Sequence, residues 1–344
     1  MKRIICINIV ILFFLVPSSL GQNDSVALNR KGVFDSDEIL EISLRFDIRH
    51  FKRTKFKSLY QHAAMTYISD GDSVTRKIKL RSRGKFRREY CNFPPIRLNL
   101  KKNEFPDDIF EGVDKIKMVT HCESGNRDHI LKEYLAYKLY NIISDFSFRV
   151  RLVKVTYIDT RKPDKPFEEY AFLIEPTEFL TERTNTLEIE TTGLSQKSMK
   201  QEILDRMAVF NYMIGNYDWI VPKLQNLVIL SQPFSENSHL GIPVPYDFDY
   251  SGIVNADYAV PPDNAPVSSV RERLFLGLCR SEEKFEKVTD YFLGKKDAFY
   301  KVIEEFPYLG ERPKSDMINY LNTFYEDFDQ RNTIVRKLLN ECLD

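Results

Sequence analysis

Four polar residues in the second half of the chain stand in an order that suits phosphoryl transfer. Asp218 lies in GNYDWIVPKLQN (Gly215 to Asn226), just after a predicted helix. Asn226 closes that stretch, where a predicted strand begins. Asp247 and Asp249 lie in YDFDYSG (Tyr246 to Gly252), on the next strand and its turn. Phosphoryl transfer asks little covalent chemistry of a protein, because positioning and charge neutralisation do most of the work. It needs an acid to orient or deprotonate the acceptor, Asn or Asp oxygens to hold magnesium, and a cation on the phosphates. An order of Asp, loop, Asn, strand, turn, strand, Asp is the layout of a kinase catalytic loop followed by a metal-binding Asp. On a strand of period two Asp247 and Asp249 share a face, so both could meet one cation.

GNYDW, the Asn226 that opens the following strand, and YDFDYSG together resemble the spore-coat protein kinase (CotH) family, an atypical branch of the protein-kinase-like fold. The likeness continues more weakly through IKLRSRGKFRR, PIRLNLKK, LKEYLAYKL and EYAFLIEP, and covers Arg76 to Gly252. The resemblance implies an ATP- and Mg2+-dependent phosphotransferase, with Mn2+ as the alternative metal. It implies Asp218 as the catalytic acid–base residue. Asn226 and Asp247 would hold magnesium, with Asp249 assisting or replacing Asp247. LRSRGKFRR (Leu80 to Arg88) would cover the phosphates, with Arg83, Gly84 and Lys85 nearest them. Lys117 would be the strand lysine on the phosphates, and Lys115 on the same strand face is its competitor. Glu133 would be the ion-pair partner on the next helix, and Glu175 would lie at the adenine-binding hinge. Tyr246 stands where that family has Trp, and Gln225 stands where His is more usual.

These residues need elements to carry them. Glu38 to Ile48, Arg76 to Arg83, Pro95 to Lys102 and Asp114 to His121 alternate apolar and polar residues, the mark of half-buried strands. Ile130, Leu131, Leu135, Leu139 and Ile142 recur at helical spacing and predict a helix over His129 to Ile143. Strands return over Arg149 to Asp159 and Glu169 to Pro176, joined by a hydrophilic hairpin turn. Lys197 to Ile214 reads as a helix, followed by two short strands, Leu227 to Leu230 and Ile242 onward. From Ser268 the pattern is mostly helical, beginning with SVRERLFLGL. Strands thus gather before helices, which predicts an α+β, two-lobed, protein-kinase-like fold. Its β-rich N-lobe would span 38–176 and its mostly helical C-lobe 177–344.

The first residues predict the compartment. A basic start, the apolar run Ile4 to Val16 and the small residues Ser19 and Gly21 have the layout of a secretory signal over 1–21. A polar leader, 22–37, follows. The expectation is an exported protein, periplasmic or at the cell surface, with no stable membrane span. Its partners would be a nucleotide and a protein or other secreted acceptor. The chain carries 50 basic and 50 acidic residues, a balance that argues against a nucleic-acid binder. Cys91, Cys122, Cys279 and Cys342 show no C-x-x-C spacing, which argues against zinc. Disulfides are permitted in an exported chain, and Cys91 with Cys122, which flank two predicted strands, is the first pair to expect. Two other functions are compatible with these residues: an inactive kinase-like binding module, and a hydrolase built on paired carboxylates. Acids at i and i+2 sit closer together than glycosidases generally require.

Overall fold

A computed structural model of the chain describes residues 32–69, 71–101, 108–123, 127–233, 239–261, 265–329 and 333–344. The signal segment 1–21 and the leader residues 22–31 lie outside the described residues. The rest of the leader is tied down rather than loose. Val33 is buried and its N–H donates to the Ile109 carbonyl at 2.9 Å. Asp37 pairs with Lys138 at 2.7 Å and Asp35 with Arg149 at 2.8 Å.

Residues of alternating polarity form the strands of the first half. In chain order its elements are β1 (Leu40–Phe46), α1 (Ile48–Arg53), β2 (Gln61–Ser69), β3 (Asp72–Ser82), α2 (Phe86–Tyr90), β4 (Ile96–Asn99), β5 (Lys115–Thr120), α3 (Asp128–Ile143), β6 (Val150–Asp159) and β7 (Lys162–Ile174). The strands close into a barrel in the order β1-β2-β3-β4-β5-β7-β6. Closure comes from β1 running parallel to β6, with Leu40 opposite Val153 and Phe46 opposite Asp159. The other barrel neighbours are antiparallel. One residue set of each strand fills the interior, including Leu44, Met65, Leu80, Leu98, Met118, Val155 and Leu173. The opposite set on β5, β7 and β6, with Val119, Phe172, Ile174 and Leu152, joins the core around α3. Tyr134 and Tyr137 of α3 lie against Phe172, with ring centroids 6.1 and 5.6 Å away.

This closed barrel overturns the expected two-lobed, kinase-like fold. Period-two patterning identifies strands, but it cannot say that the first strand pairs with one more than a hundred residues later.

The second half holds α4 (Thr177–Thr184), β8 (Leu187–Ile189), α5 (Gln201–Ile214), β9 (Leu227–Ser231), β10 (Ile242–Pro245), α6 (Glu282–Leu293), α7 (Lys296–Glu304), α8 (Glu311–Asp329) and α9 (Thr333–Glu341). β8, β9 and β10 make a small antiparallel sheet with β9 in the middle. Ser268 to Leu278, expected as the first of the late helices, forms turns instead. The cause is tertiary. Arg273 donates to the carbonyls of Met213 and Tyr320 at 3.1 and 2.7 Å, and Arg271 to that of Gly252 at 2.9 Å. Gly277 packs so closely that a Cβ there would stand 2.4 Å from Phe275 and 2.8 Å from Ala208.

Two disulfides are present. Cys91–Cys122 joins the residue that ends α2 to the segment after β5, as expected, and Cys279–Cys342 fastens the end of α9. They indicate an oxidising environment outside the reducing cytoplasm. Among the described residues no helix is long and apolar enough to cross a membrane.

His121 makes the fold sensitive to acid. Its ring stacks on Phe93 at 4.5 Å, only 1% of it is exposed, and its Nδ1 has no hydrogen-bond partner. Burial, helped by repulsion from Lys52, pulls its pKa down to about 4. The native state therefore resists the proton that the unfolded chain accepts near pH 6.5. This contribution is intact above that pH and is lost as pH falls toward about 4. The gap is worth roughly 3 kcal/mol. Urea unfolding at about pH 7 and about pH 4.5 should show that loss, and His121→Phe should remove most of it.

Candidate metal and phosphate site

α5 ends at Gly215, whose left-handed φ of 67° turns the chain into the Asp218 loop. Two buried amides fasten the loop to the helix. Asn211 donates to the Met207 carbonyl at 2.9 Å, and Asn216 donates to Asn211 Oδ1 at 2.8 Å. Asn216 Oδ1 in turn accepts the Asp218 N–H at 3.2 Å. The Asp218 carboxylate then accepts from Gln225 Nε2 and, at 2.7 Å, from Asn226 Nδ2. Asn226 Nδ2 also donates to the Asp218 carbonyl at 2.8 Å. Asn226 thus holds Asp218 in place. Burial, with repulsion from Asp249, raises the Asp218 pKa against these hydrogen bonds.

The β9–β10 hairpin brings the second half of the motif alongside. Leu227 pairs with Pro245, so Asn226 and Tyr246 meet at one end, where the Tyr246 N–H donates to the Asn226 carbonyl at 2.9 Å. Asp247 follows with a φ of 65°, and Leu224 and Asn226 are also left-handed at 50° and 52°. Non-glycine residues are held there only when their surroundings over-determine them, and such strain gathers at functional sites. Tyr137 Oη accepts the Asp247 N–H at 2.8 Å. The turn beyond is stitched to α5, since Gly252 and Ile253 donate to the carbonyls of Gly215 and Ile214 at 3.0 Å each. Only glycine suits position 252, where a Cβ would lie 2.4 Å from Tyr320 Oη and 2.5 Å from the Val270 carbonyl.

A third carboxylate arrives from α3. Glu133, Asp247 and Asp249 each present an oxygen, and the three lie within 4.8 Å of one another. Glu133 is wholly buried; its Oε2 accepts from Arg87 Nη2, while its Oε1 has no hydrogen-bond partner. Arg87 Nε also donates to Asp249 Oδ2 at 2.9 Å, and Tyr258 Oη donates to the same oxygen at 3.0 Å. Burial pushes the Glu133 pKa up to about 8 although Arg87 opposes it. Burial, then repulsion from Asp249, pushes Asp247 up to about 6. Oxygen donors alone, gathered closely with one buried carboxylate oxygen unpartnered, suit a hard cation such as Mg2+ or Mn2+.

A cationic patch faces this group. Attraction to Asp247 partly offsets the burial that lowers the Arg83 pKa. Lys117 sits 5.0 Å from the centre of the Tyr246 ring. Burial first, then repulsion from Arg83 and Arg97, pulls its pKa down to about 8. Two arginines crowding a half-buried lysine favour an anion there. Lys117 and Arg97 also line a cavity of about 560 Å3 with Ile174 and Phe179.

The remaining expected residues fall elsewhere. Lys115 is exposed and bonds Asp114 at 2.7 Å on the rim of the same 560 Å3 cavity, whereas Lys117 is the strand lysine beside Tyr246 and Arg83. Gly84, with a φ of 82°, and Lys85 are exposed where the chain enters α2. Glu175 lines the 560 Å3 cavity, but both its oxygens are engaged. Arg183 donates to them at 3.1 and 2.9 Å, and the Arg149 N–H donates at 3.0 Å. The partner of Glu133 is Arg87 rather than either strand lysine. Arg87, Tyr137 and Tyr258 were not singled out from the sequence. Arg87 is one of several basic residues in LRSRGKFRR, and only the short α2 turns it inward. The two tyrosines belong to no motif. Compared with known proteins, the chain matches no protein-family model and no curated protein.

Proposed function

We propose that this chain is an exported phosphotransferase that uses a magnesium-bound nucleoside triphosphate, ATP being the first donor to test. One observation carries the reading. A buried carboxylate triad with an unpartnered Glu133 oxygen lies beside the crowded cations Arg83 and Lys117, with Asp218 held on the adjoining loop. The motif likeness to the CotH kinases supports the same chemistry, and the two disulfides support a periplasmic or cell-surface location.

Glu133, Asp247 and Asp249 would hold the metal. That ion, when bound, neutralises phosphate charge and orients the phosphate oxygens. Arg83 and Lys117 bind the phosphates from the barrel side, and the cavity next to Lys117 receives the nucleoside. Asp218 orients the acceptor hydroxyl and takes its proton. Gln225 and Asn226 keep its carboxylate from turning away.

The disulfide-bonded protein, given Mg2+ and ATP labelled on either the terminal or the innermost phosphate, tests this. Covalent label from the terminal phosphate, lost in both Asp218→Ala and Asp247→Ala, is the expected result. Label from the innermost phosphate would mean nucleotidyl transfer instead. Absence of both labels, together with absence of Mn2+ and nucleotide binding by folded protein, would leave a binding module and overturn the reading.

A further inference from the structure

The loop between α1 and β2, 54–60, and the short α2 together present an aromatic face to solvent. Phe56, Leu59, Tyr60, Phe86 and Tyr90 are all exposed, Leu59 by 58%. Hydrogen bonds join the two segments into one surface. Lys55 Nζ donates to the carbonyls of Glu89 and Cys91 at 3.4 and 2.9 Å, and Arg88 Nη1 donates to Ser58 Oγ at 2.8 Å. Phe86 and Tyr90 stack with ring centroids 5.6 Å apart. Large apolar side chains gathered in water and rimmed by polar residues mark an interaction surface.

The same face is basic. Across 54–60 and 81–90 the chain has seven Lys and Arg and one acid, Glu89. Arg83 and Arg87 turn toward the carboxylate site. None of the other five, Lys55, Lys57, Arg81, Lys85 and Arg88, forms an ion pair among the described residues. Two of them lie over the exposed rings, Lys55 5.2 Å from the centre of Phe56 and Arg81 5.2 Å from that of Tyr60. Rings with cations beside them suit a lipid headgroup layer, where the ring sits at the interface and the cation meets phosphate. An acidic polysaccharide would use the same cations, but it stacks on bare ring faces and would leave Leu59 in water. An acyl boundary buries that side chain.

We propose that this face docks the exported protein on an anionic lipid surface. Phe56 and Leu59 reach the acyl boundary, and the cations around them meet the headgroup phosphates. α2 carries Phe86 and Tyr90 outward and Arg87 inward to Glu133 and Asp249, so docking sets the carboxylate site beside the lipid.

The test is co-sedimentation of the disulfide-bonded, exported form, freed of the apolar segment 1–21, with lipid vesicles and without nucleotide or metal. Vesicles of phosphatidylcholine with roughly a third phosphatidylglycerol should bind it at least about tenfold more tightly than phosphatidylcholine alone. Raising the salt from about 0.1 M to about 0.5 M should weaken that binding, because the charges are exposed and screened. Lys57→Glu with Lys85→Glu should weaken it at least about tenfold. Phe56→Ser with Leu59→Ser should weaken it about tenfold and leave Mn2+ affinity unchanged. All four side chains are exposed, and either pair alone decides the matter if the other disturbs folding. No binding to vesicles, equal binding to neutral and anionic ones, or unchanged binding in the variants overturns the inference. So does capture by a soluble acidic polysaccharide with the vesicles left unbound. Vesicle binding without label transfer would sink the phosphotransfer reading and leave the docking face standing, and label transfer without vesicle binding would do the reverse.

Discussion

Arg87→Ala is expected to lower the free energy of unfolding by about 3–5 kcal/mol, the largest single-residue effect on stability foreseen in this chain. Arg87 is buried, with 8% of its side chain exposed, and its guanidinium bridges two carboxylates that come from distant parts of the chain. Burial acts against its charge, but Asp249 and Glu133 outweigh that and hold its pKa well above the ordinary value. Removing it leaves Glu133 and Asp249 buried near Asp247 with no protein cation between them. Leaving one member of such a pair uncompensated costs far more than the intact pair contributes. Arg87→Lys should recover only part of the loss, because a single ammonium does not reproduce a planar fork that reaches two partners. Urea unfolding of the three proteins measures this directly. Mn2+ should protect Arg87→Ala more than it protects the parent, because it supplies the missing positive charge. A loss under about 1 kcal/mol would mean that the carboxylates are already neutralised by protons, as the raised Glu133 pKa would allow.

Asp218→Asn is the second. The phosphotransfer rate should fall roughly 100- to 10,000-fold, the usual contribution of a positioned acid–base group. Mn2+ affinity should change little, because Asp218 is not one of the three converging carboxylates. The loss should therefore appear in kcat and not in metal binding, whereas Asp247→Asn should abolish both. The fold should tolerate the change, since Asn keeps the shape of Asp. The new amide does face the Nε2 of Gln225 or the Nδ2 of Asn226, donor against donor, so a modest shift of the loop is expected. Stopped-time label transfer alongside calorimetric titration of Mn2+ separates the two variants. Equal loss of Mn2+ binding in both would reassign Asp218 from proton acceptor to metal ligand.

Much of the local structure is legible from residue order. Alternation in LEISLRF and KIKMVT makes β1 and β5, and the apolar spacing from Ile130 to Ile143 makes α3. Cys91 and Cys122, expected to pair from the strands between them, do so. The motif residues Asp218, Asn226, Asp247 and Asp249 lie close in sequence, joined by one hairpin, so local pairing is enough to bring them together.

What depends on contacts between distant residues was not readable. The parallel pairing of β1 with β6 closes the barrel, and periodicity assigns faces to strands without naming partners. The inward turn of Arg87 depends on α2 and on carboxylate partners supplied by α3 and the segment after β10. Lys117 and Lys115 share one strand face and one pattern. They differ because Lys117 lies under Tyr246 while Lys115 reaches Asp114 in solvent. Glu175, which the resemblance would place at an adenine-binding hinge, is closed over by Arg183, eight residues on. In each case side-chain type was set by the sequence, but the role came from which remote backbone and charge shared its low-dielectric surroundings.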